Sequence, residues 1–506
     1  MSVGTAPGGL WHSLAVLLMA LFLCPSAGRA QPPNPALRSR TAAQAMSEGR
    51  FDVAARIYRE LLQTLPNDAG LLMNLGMALA MGGHEAVAIA PLQRALALNR
   101  DLVPANLFLG SSYLALGRGA DAIPPLRRVV AARGADVESR RMLADAYTNA
   151  GRHSDAVATL RGITEVAPKL PAGWFALGHA YNAVAQEAME AFEQQPEDSP
   201  WRQLLLADAL LADGRLTDAF PLQRAAQAQL PSMASIHDAI AKIYELAGHP
   251  DWAAVERRRG ALAPGECAKR KALCEFRAGR YRPALSAALA GSDLESRYWR
   301  ARAATELALA AFKRLDQLPD SRERREVRAT MAMSQRKYTD AIAELTAGLA
   351  LAPGDPTLTS DLGSAYYAAR EYEKAVTTLN ALLTANPDDT RLLTMLGDSL
   401  LQLQRHDDAL PLLRRAVERD PKDATPRLAL ARAYSQKGDF GSAVPLLEAE
   451  IARDHDGSLH AQLARAYSGL GQKDKAEALL TRSQELQRAA QESGAAAGQR
   501  TIEGPR

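Results

Sequence analysis

The strongest constraint on this chain is a sequence pattern that returns every 34 residues. One series of copies starts at Pro35, Ala69, Val103, Val137 and Pro171. A second series starts at Arg322, Pro356, Thr390 and Ala424, and less regular copies start near Pro200, Ala234, Gly265 and Gly457. A fixed period of this length indicates stacked structural repeats, each packed on its neighbours. The chain is therefore expected to form an array of similar units rather than one central core.

Fixed places within each copy carry small residues, glycines and prolines. Gly83 stands at the fifteenth place, where glycine accepts the left-handed conformation that ends a helix. Pro66 stands at the thirty-second place, where proline stops a second helix. Gly76 and Ala88, at the eighth and twentieth places, are expected to face each other and let two helices approach closely. Each copy is therefore predicted to be a pair of helices joined by a tight turn.

The copy from Pro171 shows the pattern most completely, because WFALGHAY fits W-x2-L-G-x2-Y in order. Its matching residues are Trp174, Leu177, Gly178 and Tyr181. The chain thus resembles the tetratricopeptide repeat family over about 35–260 and 265–488. The resemblance implies an all-α solenoid of antiparallel helix pairs, stacked in a right-handed superhelix. It also implies a concave face that grips extended peptides or helices.

The pattern breaks after Tyr181 and again after Trp299, where the glycine turn is missing. Each break is predicted to be one long first helix that runs past the usual turn. Two similar breaks favour two tandem segments with the loop at 262–267 between them. The predicted boundaries are a signal peptide at 1–30, a Pro-rich linker at 31–34, an N-terminal array at 35–261, a C-terminal array at 262–489 and a disordered tail at 490–506.

The first thirty residues have the features of a secretory leader. Residues 14–24 form an apolar run that is too short to span about 30 Å of hydrocarbon, and Gly28 and Ala30 suit a signal peptidase. No Lys or Arg precedes the run, which departs from the usual pattern. Lipidation of Cys24 is an alternative to simple cleavage, although Leu23 stands where a small residue is expected. A periplasmic or secreted protein without a membrane span in its mature part is predicted.

Charge and cysteine content exclude other classes. The net charge is +3, from 60 Lys and Arg against 57 Asp and Glu, so no nucleic-acid partner is expected. Cys267 and Cys274, placed on one helix, would lie about 10 Å apart. A disulfide needs Cα atoms within about 7 Å. Two core-facing thiols without a disulfide are therefore predicted.

Motifs for catalysis or cofactor binding are not found. His84-Glu85 begins like a zinc-protease helix, but Ala88 stands where the second histidine is required. No phosphate-binding glycine loop or Gly-x-Ser-x-Gly elbow occurs. One polar cluster could hold a metal, but it falls on a link between repeats; it comprises Asp454, His455, Asp456 and His460. The sequence predicts no enzyme, no cofactor and no metal.

One candidate binding surface is an apolar stripe on the copies from Ala69 and Val103. Met73, Met77 and Met81 are four residues apart, and so share one helix face. Leu107 and Leu114 extend this surface onto the next copy. In the family that the chain resembles, such positions line the groove, and methionine adapts to varied apolar partners. The alternative is that the stripe packs against a neighbouring helix or the chain's own N-terminus.

A second candidate surface is a run of positive charge. Between Glu256 and Arg282 there are nine basic and three acidic residues. The central members are Arg257, Arg258, Arg259, Lys269, Arg270 and Lys271. Such a patch could make weak contacts with an acidic partner or with anionic lipid head groups. A solvated helix face is the alternative.

These observations favour a non-enzymatic scaffold that binds a partner protein or peptide in its concave groove. Two alternatives remain at this point. One is an accessory array that presents substrates to a separate enzyme such as a glycosyltransferase. The other is an envelope protein assembly factor.

Export makes the first testable prediction: the mature chain should begin near Gln31, because Gly28 and Ala30 precede it as a small-residue cleavage site. N-terminal sequencing of the native protein measures this directly. An intact Met1 end recovered from a membrane fraction would instead indicate an uncleaved anchor.

Overall fold

The computed structural model describes residues 35–263, 265–498 and 501–505. The predicted signal peptide, the linker and Cys24 lie outside these residues. Within them the regular elements are 27 α-helices and one short 3-10 helix, with no strand. This confirms an all-α repeat fold. None of the described helices is both long and apolar enough to cross a bilayer. The chain divides into two compact units, Met1–Arg152 and His153–Arg506.

The first unit consists of helix pairs and one further helix. Its helices are α1 (Pro35–Ser47), α2 (Phe51–Thr64), α3 (Ala69–Met81), α4 (Glu85–Leu98), α5 (Val103–Ala115), α6 (Gly119–Ala132) and α7 (Val137–Asn149). Gly49, Gly83 and Gly117 end first helices with φ values of 73°, 79° and 69°, as the repeat predicts. The first helices α3, α5 and α7 also contact one another in order, so they form a continuous face.

Tight packing of a leucine against a glycine joins the two helices of a pair. A Cβ atom added to Gly76 would lie 2.4 Å from Cγ of Leu92, and one added to Gly110 would lie 2.5 Å from Cγ of Leu126. The predicted partner of Gly76 was Ala88, but the nearest side chain is Leu92, one turn further along the second helix. Gly76 and Gly110 therefore have to be glycine, because a leucine side chain fills the space above each of them.

The second unit contains twenty helices among its described residues. The first nine are α8 (His153–Val166), α9 (Pro171–Glu193), α10 (Pro200–Ala212), α11 (Leu216–Gln229), α12 (Ala234–Leu246), α13 (Pro250–Arg259), α14 (Glu266–Lys269), α15 (Lys271–Arg277) and α16 (Tyr281–Leu289). The next six are α17 (Leu294–Asp316), α18 (Arg322–Ser334), α19 (Tyr338–Leu351), α20 (Pro356–Ala368), α21 (Tyr372–Ala385) and α22 (Thr390–Gln402). The last five are α23 (His406–Arg419), α24 (Ala424–Lys437), α25 (Phe440–Glu448), α26 (Ser458–Gly469) and α27 (Lys473–Gly498).

The two long helices that the sequence predicts are present, and they pack against each other. Each of α9 and α17 has 23 residues. A Cβ atom on Gly178 would lie 2.5 Å from Cε1 of Phe312, which repeats the contact between Gly76 and Leu92. Helix α9 also contacts α18, the first helix of the following pair. Helices α9 and α17 are therefore the first and second helix of one pair, rather than the starts of two tandem segments.

Helices α10–α16 are consequently an insertion between the two members of that pair, and we call them the inserted array. Its apolar core includes Phe192 at the end of α9, and Tyr298 and Trp299 near the start of α17. The hydroxyl of Tyr298 donates to Asp208 at 2.8 Å, and Arg302 donates to the same carboxylate at 2.9 Å. One half of each long helix thus packs with the regular repeats, and the other half packs with the inserted array.

This arrangement differs from the predicted division at 261–262. The loop at 262–267 lies inside the inserted array, and a single core extends on both sides of it, from Leu204 to Leu273 and Trp299. The 34-residue spacing does not reveal this insertion, because it records the order of the helices along the chain and not which helices pack as a pair.

The cysteine prediction was wrong. Cys267 and Cys274 form a disulfide with a Cα–Cα distance of 5.6 Å. They do not share one helix, because α14 ends at Lys269 and α15 begins at Lys271. The chain turns at Arg270 and brings the two sulfur atoms together.

The predicted disordered tail also differs from the structure over its described part. Helix α27 continues to Gly498. Beyond it, Ile502 packs against the core of the inserted array, and Gly504 lies against Trp252. The polar composition of the segment predicted disorder. It gives no sign of these contacts, because they involve residues more than 200 positions earlier in the chain.

The pairing of α9 with α17 is tested by Gly178→Val. The added side chain meets Phe312 and should cost about 1–3 kcal/mol through overpacking. Hydrogen exchange should then show faster exchange in both α9 and α17, although more than 100 residues separate them. Gly134→Val is the control, because a Cβ atom there meets nothing within 4 Å. Faster exchange that is confined to α9, with α17 unchanged, would contradict the pairing.

Candidate functional site

The first helices α20, α22 and α24 contact one another in order and form a cavity of about 460 Å³. Its lining includes Tyr367, Arg391, Thr394, Asp398 and Arg432. These residues stand at the second, fifth, ninth and twelfth places of their copies. They are therefore on the face that corresponding positions share along the stack.

Asp398 organises this cavity. The residue is 7% exposed, and its carboxylate accepts hydrogen bonds from the hydroxyl of Tyr367 and, at 2.5 Å, from Nη1 of Arg432. Burial raises the pKa of the Tyr367 phenol, and the hydrogen bond to Asp398 raises it further. The phenol therefore stays protonated as a donor, and the Arg432 guanidinium is held in one place while part of it remains open to solvent.

Further donors flank the cavity. Arg391 is exposed, and its Nη2 lies 3.4 Å from Oγ of Ser364. A second cavity of about 430 Å³ adjoins Arg432 and is lined also by Gln462 and Arg465. Three arginines thus follow one another along the face, and a backbone carbonyl or a carboxylate of a bound peptide would accept from them.

The residues of this groove were not among the predicted sites. The stripe on α3 and α5 was predicted from its repeated methionines. The cavity along α20, α22 and α24, which we call the groove, has no such repeated residue and is lined by Tyr, Thr, Asp and Arg side chains among others. Position within the repeat could have identified this groove. The lining residues named above stand at the second, fifth, ninth and twelfth places of the copies from Pro356, Thr390 and Ala424.

Comparison with family models decides the identity of the repeat. Three models described as tetratricopeptide repeat match residues 42–103, 113–177, 360–424, 400–461 and 458–489. The chain belongs to the tetratricopeptide repeat family. No curated protein matches it.

Among solved structures, the chain is similar over about a third of its length to structures of the protein MamA. A crystal structure of MamA protein shares 24% identity, with 31% of this chain and 88% of that chain covered and a TM-score of 0.29. MamA from Desulfovibrio magneticus RS-1 shares 23% identity, with 30% and 85% covered and a TM-score of 0.28. No functional conclusion follows from either likeness.

The predicted apolar stripe lies on two neighbouring first helices of the tetratricopeptide array. Met73, Met77, Leu107 and Leu114 are half-buried, and Met81 is 46% exposed. Part of each side chain is therefore exposed to solvent, and the rest packs against neighbouring residues. Use of the stripe by a partner stays a prediction.

Three residues of the predicted basic patch are bound to other residues of the inserted array. Arg257 pairs with Glu245, and Arg259 pairs with Glu256 at 3.0 Å. Arg270 donates to the carbonyl oxygen of Ser232 at 3.0 Å. Over the part of the chain that the structure describes, the remaining members make no ion pair and are exposed; they are Arg258, Lys269 and Lys271. Half of the patch thus has a structural role.

Glu256 was counted only as a charge within that patch, but it is fully buried. It accepts from Nδ1 of His237 at 2.7 Å and pairs with Arg224 at 3.4 Å. Burial by itself would raise the pKa of Glu256. The hydrogen bond from His237 and the charges of Arg224 and Arg259 outweigh burial, so the pKa is lowered. The carboxylate is ionised at neutral pH and joins α11, α12 and α13.

The polar cluster near 454–460 has a capping role. Asp454 accepts from the backbone N–H of His460 at 2.8 Å and from its Nδ1 at 2.7 Å. These bonds hold the start of α26. In the described ranges, no three His, Cys, Asp or Glu side chains are grouped so that they could hold a metal ion.

Glu256 should make stability depend on pH. Its folded pKa is below the usual 4.5, so its contribution is present above pH 4.5 and is lost as pH falls through the folded value. Glu256→Gln should therefore lower the free energy of unfolding by about 1–3 kcal/mol at pH 7, and by less at pH 3.5. Denaturant titrations followed by tryptophan fluorescence at both pH values measure the difference.

The control for this experiment is Glu245→Gln. It removes an exposed ion pair with Arg257, and should change stability by less than about 1 kcal/mol. A Glu256→Gln effect that keeps its full size at pH 3.5 would show that the carboxylate charge is not what stabilises the cluster.

Proposed function

We propose that this tetratricopeptide protein is an exported, non-enzymatic scaffold, and that it binds an extended segment of a partner protein along α20, α22, α24 and α26. Membership of the family supports a role in protein interaction in general. The particular groove is supported by its chemistry, because its lining combines the apolar side chains of Met395 and Ala429 with the Arg432 donor that Asp398 already holds in position.

The proposal rests on the ion pair between Asp398 and Arg432 in the groove. Asp398 fixes Arg432 from behind, so the guanidinium loses little freedom when it meets a ligand. Arg391 and Arg465 lie exposed on either side of it. Arginines spaced along a groove suit the carbonyl oxygens and acidic side chains of an extended peptide.

A binding role fits this groove better than catalysis. The carboxylate of Asp398 is already occupied by Tyr367 and Arg432, and the Tyr367 hydroxyl is held protonated. Neither group is poised to take a proton from a substrate at neutral pH.

Export has two supports. The sequence begins with a leader-like apolar run that is followed by a small-residue site. The disulfide between Cys267 and Cys274 is the second, because disulfides persist mainly in oxidising compartments such as the periplasm and the exterior.

The groove is tested with the double substitution Arg391→Glu and Arg465→Glu. Both residues are exposed, and the Asp398–Arg432 pair remains, so the melting temperature should change little. Affinity capture from an envelope extract, followed by mass spectrometry, should show partners on the wild-type chain that fall at least about tenfold on the variant, because reversed charge repels an acidic or carbonyl-rich segment.

The matched control is Arg336→Glu with Arg370→Glu. These arginines are exposed in the turns after α18 and α20, away from the groove positions, and have φ values of 58° and 61°. Partners should stay bound to this control. An unchanged set of captured proteins on the groove variant would sink the proposal.

A further inference from the structure

The C-terminal residues Thr501–Pro505 lie on the inserted array, on a surface that the groove of α20–α26 does not include. The hydroxyl of Tyr244 donates to the carbonyl oxygen of Glu503 at 2.7 Å. Ile502 packs against the apolar core of the array. The segment has no regular secondary structure, and so offers its backbone and alternate side chains in the manner of a bound peptide.

Trp252 forms the apolar part of this surface. Its ring stacks on His249 with 3.9 Å between ring centroids, and meets Tyr244 edge-on at 5.4 Å. Gly504 lies against the same indole: a Cβ atom there would be 3.3 Å from Cε2 and Cζ2. That distance is tighter than ordinary van der Waals contact, so the surface favours glycine at this place.

The polar part of the surface is held in position before a peptide arrives. Nη2 of Arg224 donates to the Tyr244 hydroxyl at 2.7 Å, and Arg224 in turn pairs with buried Glu256. The same spacing of twenty residues joins Gln93 to Tyr113 and Arg414 to Tyr434. A contact that recurs in other repeats therefore orients the Tyr244 hydroxyl. In the inserted array this hydroxyl donates its hydrogen bond to the carbonyl oxygen of Glu503.

We propose that Tyr244, Trp252 and the adjoining apolar core form a second peptide-binding site, and that the chain's own tail is its resident ligand. The site recognises a branched apolar residue followed, after one residue, by glycine, as in Ile502 and Gly504. A partner segment of this chemistry enters only by displacing the tail. Because the tail is tethered, its effective concentration is of the order of millimolar, and it lowers the apparent affinity of any competitor.

The test uses a fluorescently labelled peptide of sequence TIEGPR, corresponding to residues 501–506. Its binding is measured by fluorescence polarisation to the full chain and to a chain that ends at Gly498. The shortened chain should bind the peptide, and the full chain should bind it at least about tenfold more weakly, because the tail competes. A peptide with valine in place of the glycine should bind the shortened chain at least about tenfold more weakly than the unaltered peptide.

Three variants locate the site, and one of them is a control. In the shortened chain, Trp252→Ala should abolish binding of the peptide, whereas Trp174→Ala, a tryptophan of α9 outside this surface, should leave it unchanged. In the full chain, Gly504→Val alters only the tail, so folding of the array is not in question. It should release the tail and let the labelled peptide bind as it does to the shortened chain.

Three results would overturn the proposal. The first is equal binding to the full and shortened chains. The second is absence of binding both to a folded shortened chain and to the full-length Gly504→Val chain. The third is a full chain that is dimeric by light scattering and becomes monomeric when shortened, which would place the tail on a second copy.

Discussion

Close packing of one large side chain over a glycine is the contact from which the repeat stack is built. Leu92 over Gly76 and Phe312 over Gly178 show the same geometry, in which a Cβ atom would stand about 2.5 Å from the covering side chain. Helix pairs can approach this closely only because the first helix carries no side chain there. The contact recurs at Gly110, Gly363 and Gly397, and it is what identifies α9 and α17 as partners despite the helices between them.

Polar contacts then fix what apolar packing leaves free. Asp208 receives both Tyr298 and Arg302, and ties the start of α17 to the inserted array. Glu256 does the same for α11, α12 and α13 through His237 and its arginines. Glu256 is fully buried and Asp208 is partly buried. Such carboxylates stabilise a fold only when their partners are in place, so they select one arrangement of the helices from several that would bury similar apolar area.

The same kind of polar contact shapes the two surfaces that we propose bind peptides. On α20, α22 and α24, Asp398 holds an arginine towards the groove. On the inserted array, Arg224 holds the hydroxyl of Tyr244 towards the tail. In both, a charged neighbour takes up one side of the donor and leaves the other side for a peptide, so little order has to be created on binding. The two surfaces lie on different helices.

The sequence alone determined the regular helix pairs, the turns and the presence of the two long helices, because these follow from local rules: glycine at a turn, proline after a helix and small residues at a fixed spacing. The left-handed turns at Arg336 and Arg370 show that the spacing holds even without glycine. Only the tertiary structure decided that α9 pairs with α17, that Cys267 meets Cys274, and that Gly504 rests on Trp252. Those contacts join residues whose separation has no fixed period, or follow from a break in one helix, so no repeat pattern records them. They depend on which apolar and polar groups complement each other in space once the helices have formed.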